Sequence, residues 1–224
     1  MSSPTVAISQ RRSRLPWATL IVLCIIAVIA VLRRVYALFS SPSPKRIPPP
    51  FPGLDQLDAV FNAHRAMTLA HILPAMCLVV LLPFWFSPRI RGRFATHRRI
   101  TVAVFTLGAV TGVTALIMNT HPIGGFNEAL AILFFDTLFV FSLARSFVLW
   151  LRNDVPGHRE WMTRASAVLL GIATTRPIVG IFVTTSRLTH WEPHQYFGTA
   201  FWIGFTLTYI AGEAYIRSRP RAEL

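Results

Sequence analysis

Six apolar runs, each long enough to cross a lipid bilayer, follow one another along this chain, and they constrain its fold more than any other feature. They cover Leu15 to Leu32 and then, approximately, Phe61 to Phe86, Ile100 to Met118, Phe126 to Leu151, Thr163 to Thr185 and Tyr196 to Ile216. At a rise of about 1.5 Å per residue, 18 helical residues span ~27 Å, most of a hydrocarbon core. Inside lipid every backbone N–H and C=O must be satisfied within the segment, so such runs are helices. Composition points the same way. Of the 224 residues 53% are hydrophobic and 14% charged, against about 25% charged in an ordinary soluble domain. Mean hydropathy is +0.52. These values exclude a disordered chain, a disulfide scaffold and a soluble enzyme. The fold class expected is all-α, a polytopic membrane protein built as a six-helix transmembrane bundle.

The first run stands apart from the rest. Arg11, Arg12 and Arg14 precede it, as in a signal peptide, but it is longer than a usual signal core and Arg33-Arg34 follows with no small-x-small cleavage site. It reads as a retained helix. Ser40 to Gly53 (SSPSPKRIPPPFPG) is too rich in proline to stay helical and reads as an extended linker. The expected units are therefore a basic N-terminus with the first helix (1–39), a Pro-rich linker (40–60), a five-helix core (61–216) and a basic tail (217–224).

The net charge of +13 would suggest nucleic acid in a soluble protein. Here its distribution suggests topology instead. Fourteen basic residues flank the runs at one end of the bundle, in the N-terminus, Arg89–Arg99, Arg152–Arg164 and the tail, against six at the other. By the positive-inside rule both termini face the cytoplasm, in a bacterial inner membrane. The partner implied is the bilayer, with no nucleic acid, and a homo-oligomer is a candidate assembly.

Ionisable residues within a span are costly and mark where function is to be sought. His71, Asp136 and Arg176 each lie nine or ten residues from the outer end of their runs, at ~13–15 Å depth by the helical rise. With Glu213 in the last run they form a candidate intramembrane polar centre, in which Asp136 holds Arg176 and His71 titrates or ligates. Pro177, directly after Arg176, frees a carbonyl one turn back and favours a kink. A second cluster lies at the cytoplasmic boundary: His97, Arg98 and Arg99, then His158, Arg159, Trp161 and Arg164, with Glu213 at a depth to pair with one of the arginines. A third set, His64, His121, His190 and His194, lies at the outer surface. The two cysteines, Cys24 and Cys77, sit within apolar runs and read as inert thiols. No CxxC, CxxCH, Walker loop or GxGxxG occurs.

His71 followed by Pro83, the run His97-Arg98-Arg99, and His158-Arg159-Glu160-Trp161-Met162-Thr163-Arg164 occur in this order. Arg176 comes next, and Phe201-Trp202 to Glu213 ends the pattern. Together they resemble the bacterial membrane family catalogued as domain of unknown function 2306, over about residues 61 to 216. Thr101 and Val102 stand where the pattern has glycine and arginine, and Ala165-Ser166 where it has serine-tyrosine. The resemblance implies a membrane fold and location and leaves the activity unassigned.

Three chemistries stay open at this point, besides a structural or accessory role. A redox protein carrying haem b or a metal would use His71, His97 and His158 as cofactor ligands, with His97 and His158 as a plausible pair. A small-solute or proton-coupled transporter would use the midplane His/Asp/Arg centre. A metallohydrolase would need at least three of the outer histidines to converge.

Overall fold

The computed structural model describes residues 4–40 and 54–220, with side chains from residue 16 onward in the first segment and residue 58 onward in the second, Arg187 excepted. The proline-rich stretch 41–53 and the last four residues of the tail lie outside the described residues. Every described element is helical: α1 (Pro4–Phe39), α2 (Leu54–Ala63), α3 (Arg65–Phe86), α4 (Pro88–Arg91), α5 (Phe94–Met118), α6 (Gly125–Leu151), α7 (Val155–Thr189) and α8 (Pro193–Arg217). Five are long and apolar enough to cross a membrane: α1 from Pro16, α3, α5, α6 and α7 to Ser186. The sixth run, α8, is as long as α5 but less apolar, and it lies along α7 and α6.

Two boundaries differ from expectation. The second run is not one helix. His64, at φ −116° and ψ 41°, separates α2 from α3, so the helix long enough to span begins at Arg65 rather than at Phe61. At the Arg-rich end α5 begins at Phe94 and α7 at Val155, so His97 and His158 stand on helices instead of in connections. The α7 start has a local cause. The Asp154 carboxylate accepts from the Gly157 amide at 3.0 Å, and Pro156 follows in the first turn, where a missing N–H costs nothing. α7 also runs unbroken through Pro177.

Small residues set how closely the helices approach. A Cβ on Gly204 of α8 would come within 2.8 Å of the Thr175 Cα, so the α7 and α8 backbones touch there. Gly112 plays the same part in α5, where a Cβ would meet Val140 Cγ2 of α6 at 2.6 Å. Small residues at helix contacts are the usual means of close packing in lipid, where burial of apolar surface gives no net drive. α1 docks on α3 and α7 through Cys24 and Ala27, which meet Val79, Leu82, Leu170 and Ala173. Cys24 is thus a core thiol, whereas Cys77 is exposed. Outward faces carry Val113, Phe141, Leu207 and Ile210, more than half or nearly so exposed, as a lipid-facing surface requires.

Candidate functional site

The helices enclose a cavity of about 310 Å³ in the half of the bundle away from the Arg-rich connections. Aromatic and aliphatic side chains such as Phe135, Phe139, Ile172 and Phe201 form most of its wall. Its polar lining comes from five helices and a loop: Arg33 and Arg34 of α1, His71 of α3, Thr111 of α5, Glu128 and Asp136 of α6, Arg176 of α7, and His121 in the connection before α6. The midplane set of His71, Asp136 and Arg176 is thus brought to one cavity. Glu213 is not.

Arg176 sets the chemistry. Its side chain is surrounded by protein atoms yet accessible, because it faces the cavity. Among the described residues it has neither a hydrogen bond nor an ion pair. The expected Asp136–Arg176 pair does not form; equal depth on two helices does not fix the direction in which each side chain points. The charges Arg176 feels are Arg34 and Arg33, which repel it, and Glu128, which attracts it. Glu128 is itself engaged, since its Oε2 accepts from the Gly124 amide at 2.6 Å in the turn that starts α6. That position also suits a carboxylate, because the helix N-terminus carries partial positive charge.

The other two arginines are held. The Arg34 guanidinium pairs with Asp58, lies 4.0 Å over the Phe61 ring, and is largely covered. Arg33 reaches the same carboxylate at 3.9 Å and is half exposed. A guanidinium at a helix centre costs about 2.5–3.5 kcal/mol on insertion scales. The other two offset this with Asp58; Arg176 has five N–H donors and, among the described residues, no acceptor.

His71 has a defined role in the wall. Its Nδ1 lies 3.0 Å from Thr114 Oγ1, and that hydroxyl sits 2.7 Å from the Val110 carbonyl, to which it donates. His71 therefore donates through Nδ1 and keeps Nε2 as an acceptor. Asp136 is 9% exposed, and its Oδ2 is buried without a hydrogen-bond partner. A Cβ on Gly112 would lie in ordinary contact with the Asp136 Oδ1, at 3.6 Å.

At the Arg-rich end the architecture is closed. Glu213 pairs with Arg164, which also binds Glu160 at 2.8 Å and stacks over Trp161. Glu213 thus belongs to this end and not to the midplane centre in which the sequence placed it. Nearer the axis, Trp85 is 2% exposed and donates through Nε1 to Thr101 Oγ1 at 3.1 Å. The His97 and His158 rings pack against its indole with centroids 5.8 and 5.5 Å away, and Phe105 closes on His158 at 5.9 Å. Haem b needs two imidazoles facing across a flat slot. Here aromatic side chains fill the space around both rings. His71 lies ~21 Å along α3 from Trp85, by the helical rise. The three histidines do not form one site, and the residues present do not fit a porphyrin.

The outer histidines also stay apart. The His64 and His121 rings touch, tilted by 38° with centroids 4.0 Å apart, while His194 pairs with Glu192 at 3.3 Å on the first turn of α8. Among the described residues no three His, Cys, Asp or Glu side chains gather as metal ligands.

Sequence reasoning missed Glu128, and it counted Arg33 and Arg34 only as topology signals. Glu128 follows a Gly-Gly pair at the start of a span, where a carboxylate reads as a helix-start residue.

No curated protein and no solved structure matches this chain. Residues 68–216 match the family described as predicted membrane protein (DUF2306), a match that leaves α1 and α2 outside it. The chain therefore belongs to the DUF2306 family of predicted membrane proteins.

Proposed function

We propose that this integral membrane protein is a carrier for a small organic anion with an apolar tail, bound in the cavity with its charged group on Arg176. The observation that carries this reading is an unpartnered guanidinium facing an apolar cavity of about 310 Å³. A charge-assisted hydrogen bond is worth about 1.5–3 kcal/mol, and more donors than one are free. A bound anion would recover much of the cost of placing Arg176 at depth. A neutral solute would not.

The aromatic and aliphatic wall suits the tail, as in most small-molecule sites, where a few polar groups fix orientation. Glu128 and Asp136 discriminate against a second negative group on the ligand, so a monoanion is favoured over a dianion. Arg33 and Arg34 at the outer side attract the ligand toward the cavity, an effect that salt weakens. With both termini in the cytoplasm, as the basic flanks argue, the cavity belongs to the extracytoplasmic half.

Octanesulfonate tests the reading, since it keeps its charge and does not cross lipid as a neutral acid. Purified protein in proteoliposomes is expected to take up labelled octanesulfonate with saturation, competed by other amphipathic monoanions and not by octanol. Uptake equal to that of protein-free vesicles contradicts it.

A further inference from the structure

The Arg-rich end holds a feature that anion carriage does not use. His158 is 4% exposed, and its Nδ1 lies 3.1 Å from the Ser146 carbonyl and 2.8 Å from Ser146 Oγ. A carbonyl cannot donate, and the Ser146 hydroxyl itself donates to the His158 carbonyl at 2.9 Å. Nδ1 must therefore carry the proton, which leaves Nε2 with its lone pair. That Nε2 is buried and has no partner, and the same is true of Nε2 on His97. The two imidazoles lie within electrostatic reach of each other, and both pack against the Trp85 indole, His97 tilted and His158 edge-on, with Thr101 fixing that indole in place. A histidine whose Nδ1–H is held by a carbonyl, with Nε2 free, is the arrangement seen in metal-ligating histidines.

The neighbours narrow the ion. Met162 follows His158 by one turn of α7, so the two share a helix face; it is 1% exposed and packs in the same cluster as Trp85 and Val104. Its thioether is a soft donor. Among the described residues no carboxylate or thiolate completes a set of three ligands with them. Arg91 and Arg159 lie within electrostatic reach of His97, which penalises a divalent cation twice as much as a monovalent one. Zinc wants four ligands with anionic or several imidazole donors, and calcium or magnesium wants oxygens. Neutral imidazole and thioether donors favour a soft, low-coordinate ion.

We propose that His97 and His158, with the Met162 thioether beside them, form a binding site for a monovalent soft metal ion, of which Cu(I) is the representative. The site is separate from the carrier cavity, so either reading can fail without the other.

The test is an anaerobic titration of detergent-purified full-length protein with Cu(I) in competition with bicinchoninate. One equivalent is expected to bind. H97Q and H158Q are expected to weaken it by about a hundredfold or more, and S146A, which loosens the ligand from behind, by about ten- to a hundredfold. M162L conserves volume and is expected to fold as the wild type, with weaker binding. It carries the test with S146A if the glutamine variants do not fold, as judged by helical circular dichroism and elution volume. Octanesulfonate uptake should be unchanged in M162L. The proposal is overturned if the wild type withholds no Cu(I) from the chelator, if Zn(II) binds the same site more tightly, or if S146A and M162L both bind Cu(I) as the wild type does.

Discussion

The two ends of the bundle treat buried polarity in opposite ways. At the Arg-rich end Arg164 has found its counter-groups: it is gripped by Glu160 and Glu213 and covers Trp161. In the other half Arg176 faces a cavity and, among the described residues, bonds to no acceptor, while Asp58 is taken by Arg33 and Arg34 and Glu128 by the Gly124 amide. A satisfied ion pair fixes helix register and resists change. A charge left without a partner costs stability, and in a membrane such a cost is tolerated where a ligand or ion meets it. The contrast is the reason to seek carriage in the cavity and structural support at the opposite end.

Substitutions can break this contrast. The largest expected effect is on R176Q, which should lower octanesulfonate uptake at least tenfold, about 1.4 kcal/mol or more in binding, while leaving the thermal midpoint equal or higher. R164Q should do the reverse. It strands Glu213 and Glu160 half-buried and should destabilise the protein by about 2–3 kcal/mol, read as a lower Tm in detergent. G204V is expected to cost about 1–3 kcal/mol, because its side chain meets the Thr175 backbone and forces α7 and α8 apart. W85F keeps an aromatic ring but loses the bond to Thr101 Oγ1, for a cost of about 1–2 kcal/mol with uptake retained. The smallest effect is expected for R33Q. Half-exposed and already near Asp58, Arg33 should change uptake only a few-fold, and only at low salt.

Much of this was legible in the residues, for reasons that can be named. A charge in a long apolar run stands out, so His71, Asp136 and Arg176 were found and their common depth followed from the helical rise. Depth alone does not give azimuth, however, and the Asp136–Arg176 pair did not materialise. Glu213 was assigned to two places. Its pairing with a boundary arginine was correct in kind, and its membership of the midplane centre was not. The break at His64 has neither glycine nor proline to announce it. The α7 start was readable in Asp154-Val-Pro-Gly, but the following basic residues looked like a connection. Ser146 and Trp85 carry no charge, so nothing in the pattern marked them as the groups that His158 bonds to and packs against. The apolar runs gave the helices, and side-chain direction decided the site.

Of all these comparisons, one measurement bears most directly on the unpartnered arginine. Octanesulfonate and octanol are titrated calorimetrically into wild-type protein and R176Q in the same lipid nanodiscs. Saturable octanesulfonate binding to the wild type is expected, with at least about tenfold weaker binding to R176Q and octanol binding that the substitution leaves unchanged. Equal octanesulfonate affinity for the two proteins would contradict it.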